Sequence, residues 1–181
     1  MKNDLPKLLE AINFAAKKHS KQKSKSADGL PYINHVLQVA DLLANVGKVK
    51  DYDVLIAAVL HDTIEDTETS KQEITKLFGA TVSKYVSEVT DNKNLPKARR
   101  KELQIKHAPH ISDGAKLIKL GDKISNISDV CENPPAGWSE KRRLEYVEWG
   151  ENVINGLRGV NSNLEKRFDE TVAEAKEKFQ S

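Results

Sequence analysis

One cysteine, Cys131, is all that this chain of 181 residues carries. That excludes an internal disulfide framework and fits a reducing compartment. Nothing beside the thiol suggests a nucleophile, so a structural or incidental role is expected for it. No apolar run approaches the roughly 20 residues of a membrane span. The amphipathic opening segment MKNDLPKLLEAINFAAKKHSK lacks the uninterrupted apolar stretch of a signal peptide. An excess of one charge is missing too: 29 basic residues stand against 27 acidic ones, which leaves no electrostatic footprint for a nucleic acid. Runs of alternating β-branched residues, internal repeats and a domain linker are also wanting. The expectation is a cytoplasmic chain with no membrane and no nucleic-acid partner, its oligomeric state left open.

What is there is helical periodicity. Leu5, Leu8, Leu9, Ile12 and Ala15 form one stripe, with Asp4 as N-cap, and a Lys/Ser-rich loop follows from Lys17 to Gly29. Pro31 suits the first turn of a helix running to about Leu43 and stopped by Gly47. A helix from Val54 to about Ile64 begins VLIAAVL, apolar on every side, and belongs in the middle of the fold. Ser70 and Glu73 have capping-box spacing for a short helix ended by Gly79, and Val82 to Val89 mark another. Pro96 opens a basic helix that finishes before Pro109. The stripe Leu117, Leu120, Ile124 and Ile127 marks a long one, Ser139 starts the helix holding Tyr146 and Trp149, and Ser162 with Glu165 caps the last. The fold class expected is all-α: one domain over residues 1–181, with a core over about 5–159 and a C-terminal helix over about 162–180.

The segment LHDTIED carries the most chemistry. At 100° per residue, His61, Glu65, Asp62 and Asp66 fall near about 0°, 40°, 100° and 140° on a helix. Three carboxylates crowded beside apolar turns repel one another and lose water, a cost that a divalent cation relieves. The dipeptide alone is better read as a helix end with solvated acids. Two further segments change that balance: PYINHVLQVADLL sets His35 in the first turns of an amphipathic helix, and LIKLGDKISN sets Asp122 inside an apolar one. By itself His35 is more often structural, and Asp122 has Lys119 and Lys123 as alternative partners. Together, two imidazoles and two carboxylates make a mixed N/O set that suits Mn²⁺ or a similar ion better than a Cys-based zinc site, and leaves positions open for water and substrate.

On these residues the chain resembles the HD-domain phosphohydrolases, and within them the small alarmone hydrolases of the RelA/SpoT-homologue type. AAKKHSKQKSKSADGLPYINH, AAVLHDTIEDTET, FGATVSKYVSEVTDNKNLPKARRK, APHISDGAKLIKLGDK and GWSEKRRLEYVEWGENVINGLRG all look like segments of that subgroup. The resemblance implies an HD-domain helical bundle that removes the 3′-pyrophosphate of (p)ppGpp, with His35, His61, Asp62 and Asp122 holding Mn²⁺. It implies that Glu65 and Asp66 orient and deprotonate the attacking water. Lys25, Asn126, Lys97, Arg142 and Tyr146 lie where the subgroup contacts nucleotide, although solvated helix faces are the plain alternative. The larger relatives carry a synthetase domain, and hydrolysis without synthesis is expected here. The chain departs from the pattern at Ser24, Val36 and Ser128. Two other readings remain: hydrolysis of another phosphorylated nucleotide, including the 2′-phosphate of NADPH, and a non-catalytic nucleotide-binding module.

Overall fold

The structure, a computed structural model, describes residues 4–180. Ten α-helical segments follow one another among those residues: α1 (Leu5–Lys18), α2 (Ile33–Asp41), α3 (Tyr52–Leu60), α4 (Thr63–Asp66), α5 (Lys71–Phe78), α6 (Ala80–Val89), α7 (Lys97–His107), α8 (Asp113–Glu132), α9 (Glu140–Asn155) and α10 (Ser162–Gln180). A five-residue π turn, Leu42–Val46, prolongs α2 to its stop at Gly47. The all-α expectation holds. The nearest approach to β-structure among the described residues is one antiparallel bridge between Lys23 and Pro31.

The centre is α3. Val54 through Leu60 are all buried, as a helix apolar on every side requires, and α1, α2, α6 and α8 pack around it. The longest helix among the described residues, α8, packs against α2, α6, α9 and α10. Its buried Ile118, Leu120, Ile124 and Ile127 are each 0–1% exposed. Because α2, α3 and α8 touch pairwise, whatever their facing ends carry is brought to one place.

Local chemistry explains the element ends, and in three places it corrects the sequence reading. Ser70 and Ser139 cap α5 and α9 as expected, accepting from the Glu73 and Arg142 amides. Asp4 makes no side-chain cap. The cap of α10 is Asn161 rather than Ser162: its Oδ1 accepts from the Leu164 amide at 3.0 Å, while Glu165 Oε1 reaches back to the amides of Gly159 and Asn161. The third correction concerns the site itself. The helix expected from Val54 to Ile64 stops at Leu60, and LHDTIED spans a break. His61 Nδ1–H donates to the Ala58 carbonyl (2.7 Å), and Thr63 Oγ1 donates to the Leu60 carbonyl (2.7 Å). Two side chains thus satisfy the final carbonyls of α3, which lets the chain turn and restart as α4.

Candidate functional site

Three helix segments place the clustered side chains. The first turn of α2 supplies His35, the break after α3 supplies His61 and Asp62, and the middle of α8 supplies Asp122. His35 and His61 are buried, 7% and 4% exposed. Asp62 Oδ2 lies 3.0 Å from His61 Nε2 and 3.9 Å from His35 Nε2. Asp122 Oδ1 lies 3.3 Å from His35 Nε2 and 3.8 Å from His61 Nε2. His35, His61 and Asp62 offer ligand atoms within 4.8 Å of one another, and Asp122 faces the same space.

The hydrogen bonds at the far side of each ring decide what this space holds. Ala58 O can only accept, so His61 carries its proton on Nδ1. Ser125 spends its hydroxyl proton on Gln38 Oε1 (2.9 Å), so the 3.0 Å contact with His35 is donated by His35 Nδ1–H. Both Nε2 atoms are therefore lone pairs in the neutral rings. Both are buried without a hydrogen-bond partner, and they point at carboxylate oxygens. Lone pairs facing lone pairs repel unless a proton or a cation lies between them. In the metal-free protein the proton serves: burial alone would lower the His61 pKa, but Asp62 and Asp122 override it and raise it well above the ordinary value. Burial likewise opposes ionisation of the two carboxylates, yet His61 holds Asp62 below its usual range, and Lys123 with the two histidines does the same for Asp122. The donor set fits a divalent cation: four convergent N and O ligand atoms with the imidazole tautomers already chosen.

Neighbouring donors hold both carboxylates in place. Tyr32 Oη donates to Asp62 Oδ2 at 2.5 Å. Lys123 Nζ donates to Asp122 Oδ2 at 2.8 Å, and Asn126 to Asp122 Oδ1. Lys123 is 3% exposed, and its ammonium stands 4.8 Å over the Trp149 ring.

Above the cluster opens a cleft of about 300 Å³ whose wall includes Lys25, Lys97, Asn126 and Tyr146. Four of the five residues expected to contact substrate are thus together. Arg142 is the exception: it stacks on Trp138 with its guanidinium carbon 4.4 Å from the ring centroid, at the outer rim beside Lys97. Glu65 lines the cleft, accepts from the Asp91 amide at 2.8 Å, and has Arg100 Nη1 3.8 Å away. Burial, with help from the nearby aspartates, raises its pKa. Asp66 lies apart from Glu65: it accepts from Gln22 Nε2 (2.7 Å) and pairs with Lys93. Lys119, Lys123, Arg100, Lys101, Tyr32 and Trp149 also line the cleft, and the sequence reading had not assigned them to it. Lys119 and Lys123 were legible only as lysines inside an apolar stripe, the one signal that separates them from solvated charges. Of the departures, Val36 is fully buried, Ser24 sits in a turn bonded to Ser26, and Ser128 is half-buried on α8. His110 is exposed, and His107 lines a neighbouring cavity rather than the cleft.

Comparison with known proteins bears on what such a site does. A family profile described as HD domain matches residues 11–145. A zebrafish (Danio rerio) protein named guanosine-3′,5′-bis(diphosphate) 3′-pyrophosphohydrolase MESH1 is 48% identical over 167 residues, covering 92% of this chain and 93% of its own. The human protein of that name is 50% identical over 166 residues, covering 92% and 93%. A solved structure, described as a metazoan ortholog of SpoT that hydrolyzes ppGpp and plays a role in starvation responses, superposes with a TM-score of 0.89. It is 45% identical, with 91% of this chain and 93% of that one covered. Among the described residues, no helix is long and apolar enough to cross a membrane.

Proposed function

This chain belongs to the HD-domain family, and on that premise we propose that it is a metal-dependent hydrolase that takes the 3′-pyrophosphate from guanosine 3′,5′-bis(diphosphate) and its pentaphosphate counterpart, leaving GDP or GTP. One observation carries the chemistry: two buried Nε2 atoms with no hydrogen-bond partner converge on the carboxylates of Asp62 and Asp122. His35, His61, Asp62 and Asp122 hold the ion. Mn²⁺ is the choice we propose, supported by the mixed N/O donors. A divalent ion supplies Lewis acidity, lowering the pKa of a water and neutralising charge on phosphoryl oxygens.

The chain's own residues do the rest. Glu65 faces the cleft with a raised pKa and takes the proton of the attacking water. The water oxygen joins the phosphorus attached to the 3′-oxygen, and the bond from that phosphorus to the 3′-oxygen breaks. The 3′-oxygen keeps the electron pair and takes up a proton from solvent to become a hydroxyl, and pyrophosphate departs from the nucleoside. Asp66 acts from one residue away: bound to Gln22 and Lys93, it ties the 19–23 turn and the segment after α6 to α4 and so keeps Glu65 in place. Lys25, Lys97 and Asn126 bind the substrate's phosphates and sugar, with Tyr146 in the wall beside them and Arg142 at the rim. A cytoplasmic setting belongs to the same proposal and rests on the single thiol.

Phosphorus NMR of the products tests this reading. The Mn²⁺-loaded protein is expected to convert ppGpp into GDP and pyrophosphate in equal amounts. Orthophosphate released from NADPH, with ppGpp left intact, would replace it by the 2′-phosphatase reading.

A further inference from the structure

Behind the reacting centre stands a charge that the scheme above leaves unused. The cleft and a smaller cavity of about 170 Å³ beside it share a wall made of Asp91, Arg100, Gln104 and Lys119. Lys119 occupies a core position in α8, 8% exposed, between Ile118 and Leu120, which are both fully buried. Its ammonium donates to the Val89 carbonyl at 3.1 Å. That acceptor carries no net charge and leaves two further N–H groups to satisfy. The nearest acid along the helix, Asp122, is committed to Lys123 and the histidines. Arg100 adds a buried Nε–H with no acceptor.

Burying an ammonium among apolar neighbours is costly when its hydrogen-bond acceptor is an uncharged carbonyl and the nearest carboxylates, Asp91 and Asp122, act on it only through space. A charge kept where packing does not call for it marks a place where an opposite charge arrives. The geometry says which one. On α8, Lys119, Asp122, Lys123 and Asn126 fall within an arc of about 100° facing the cleft, and Lys119 precedes Asp122 by three residues, a rise of about 4.5 Å. The side chain therefore serves an anion that begins at the ligand cluster and extends past it. By contrast Lys25, Lys97 and Arg142 are exposed at the rim.

Resting on the pyrophosphohydrolase reading, we infer that Lys119, assisted by Arg100, binds the distal phosphate of the 3′-pyrophosphoryl group and sets the preference for pyrophosphoryl over phosphoryl substrates. Lys119 is a specificity residue, and the ligand it takes is the outer phosphate of a diphosphate.

The test uses two nucleotides that differ only in that phosphate: ppGpp and guanosine 5′-diphosphate 3′-monophosphate, the second measured as a competitive inhibitor. Comparing KM with Ki gives the advantage conferred by the distal phosphate. In Lys119→Met that advantage is expected to shrink by about ten- to hundredfold, the range for losing a hydrogen bond to a charged group, and Lys119→Arg is expected to restore most of it. A purely structural lysine would weaken both nucleotides alike. An undiminished advantage in a folded, metal-loaded Lys119→Met protein overturns the inference. Arg100→Met, at a half-exposed position, repeats the comparison should Lys119→Met fold poorly. Calorimetry with inorganic pyrophosphate and orthophosphate on the metal-free protein makes the test independent of turnover: pyrophosphate is expected to lose affinity selectively in both variants. If the wild type releases no pyrophosphate from ppGpp, the functional reading fails, while the calorimetry still decides the anion site.

Discussion

His61 Nε2 faces Asp62 Oδ2 at 3.0 Å, while the other nitrogen of the same ring is committed to the carbonyl of Ala58. The residue that ends α3 is thereby the residue that orients the ligand. The backbone bond fixes the tautomer, the tautomer aims the lone pair, and the next residue in the chain supplies the carboxylate opposite.

Metal should therefore stabilise the fold. An ion that binds only the native state adds about 2.7 kcal/mol at a hundred times its Kd, which for a chain of this size corresponds to a rise in Tm of roughly 5–11 °C. Differential scanning fluorimetry with and without Mn²⁺ reads this directly. His61→Ala and Asp122→Ala are expected to abolish the shift and the activity together, and a full shift in either variant would remove that residue from the ligand set.

The pH dependence has a worked sign. His61 has a folded pKa above its ordinary 6.5. Its contribution to the metal-free protein is complete below about pH 6.5 and disappears as pH rises through the folded value. Asp62 and Asp122 are lowered from 3.8, so their contribution is present above that value and lost only as pH falls through the depressed ones. Metal-free protein is expected to be most stable between about pH 4 and 6.5. Because the ion must displace the His61 proton, Mn²⁺ affinity should rise with pH over the range where His61 remains protonated. Chemical denaturation and metal titration at a series of pH values check both trends.

Glu65→Gln keeps an acceptor for the Asp91 amide but no base. Metal content should match the wild type while kcat falls by about 10²–10⁴. In the wild type the acid limb of kcat/KM should lie above the ordinary glutamate value of 4.5, since burial raises the Glu65 pKa. A near-normal rate in Glu65→Gln would exclude it as base.

Thr63→Val tests whether the break in LHDTIED matters. The substitution keeps the shape of a fully buried side chain but leaves the Leu60 carbonyl without its donor, at a cost of about 1–3 kcal/mol. Stability by urea denaturation and Mn²⁺ affinity are expected to fall together, because the same turn sets His61 and Asp62. Loss of stability with unaltered metal affinity would separate the turn from the site.

The helices were legible because their apolar faces recur at helical spacing, and the four clustered side chains because imidazoles and carboxylates are conspicuous in apolar surroundings. Less was legible at the junctions. LHDTIED has helical composition throughout, and only the competition of His61 and Thr63 side chains for the last carbonyls of α3 breaks it. Asn161 and Ser162 are both good caps, and the choice between them depends on where Glu165 reaches. The cationic wall was hidden for another reason. A lysine reads as solvent-facing until tertiary packing encloses it, and Lys119 and Lys123 are enclosed by the contacts of α8 with α6 and α9, which no local pattern encodes. Asp66 shows the opposite: its place beside Glu65 in sequence says nothing of the Gln22 and Lys93 contacts that turn it away from the cleft.

The most direct measurement is anomalous diffraction at the manganese edge from crystals soaked in Mn²⁺. A single peak within bonding distance of His35 Nε2, His61 Nε2, Asp62 Oδ2 and Asp122 Oδ1 is the predicted result. A fully occupied peak elsewhere, with these four side chains left unbridged, would contradict it.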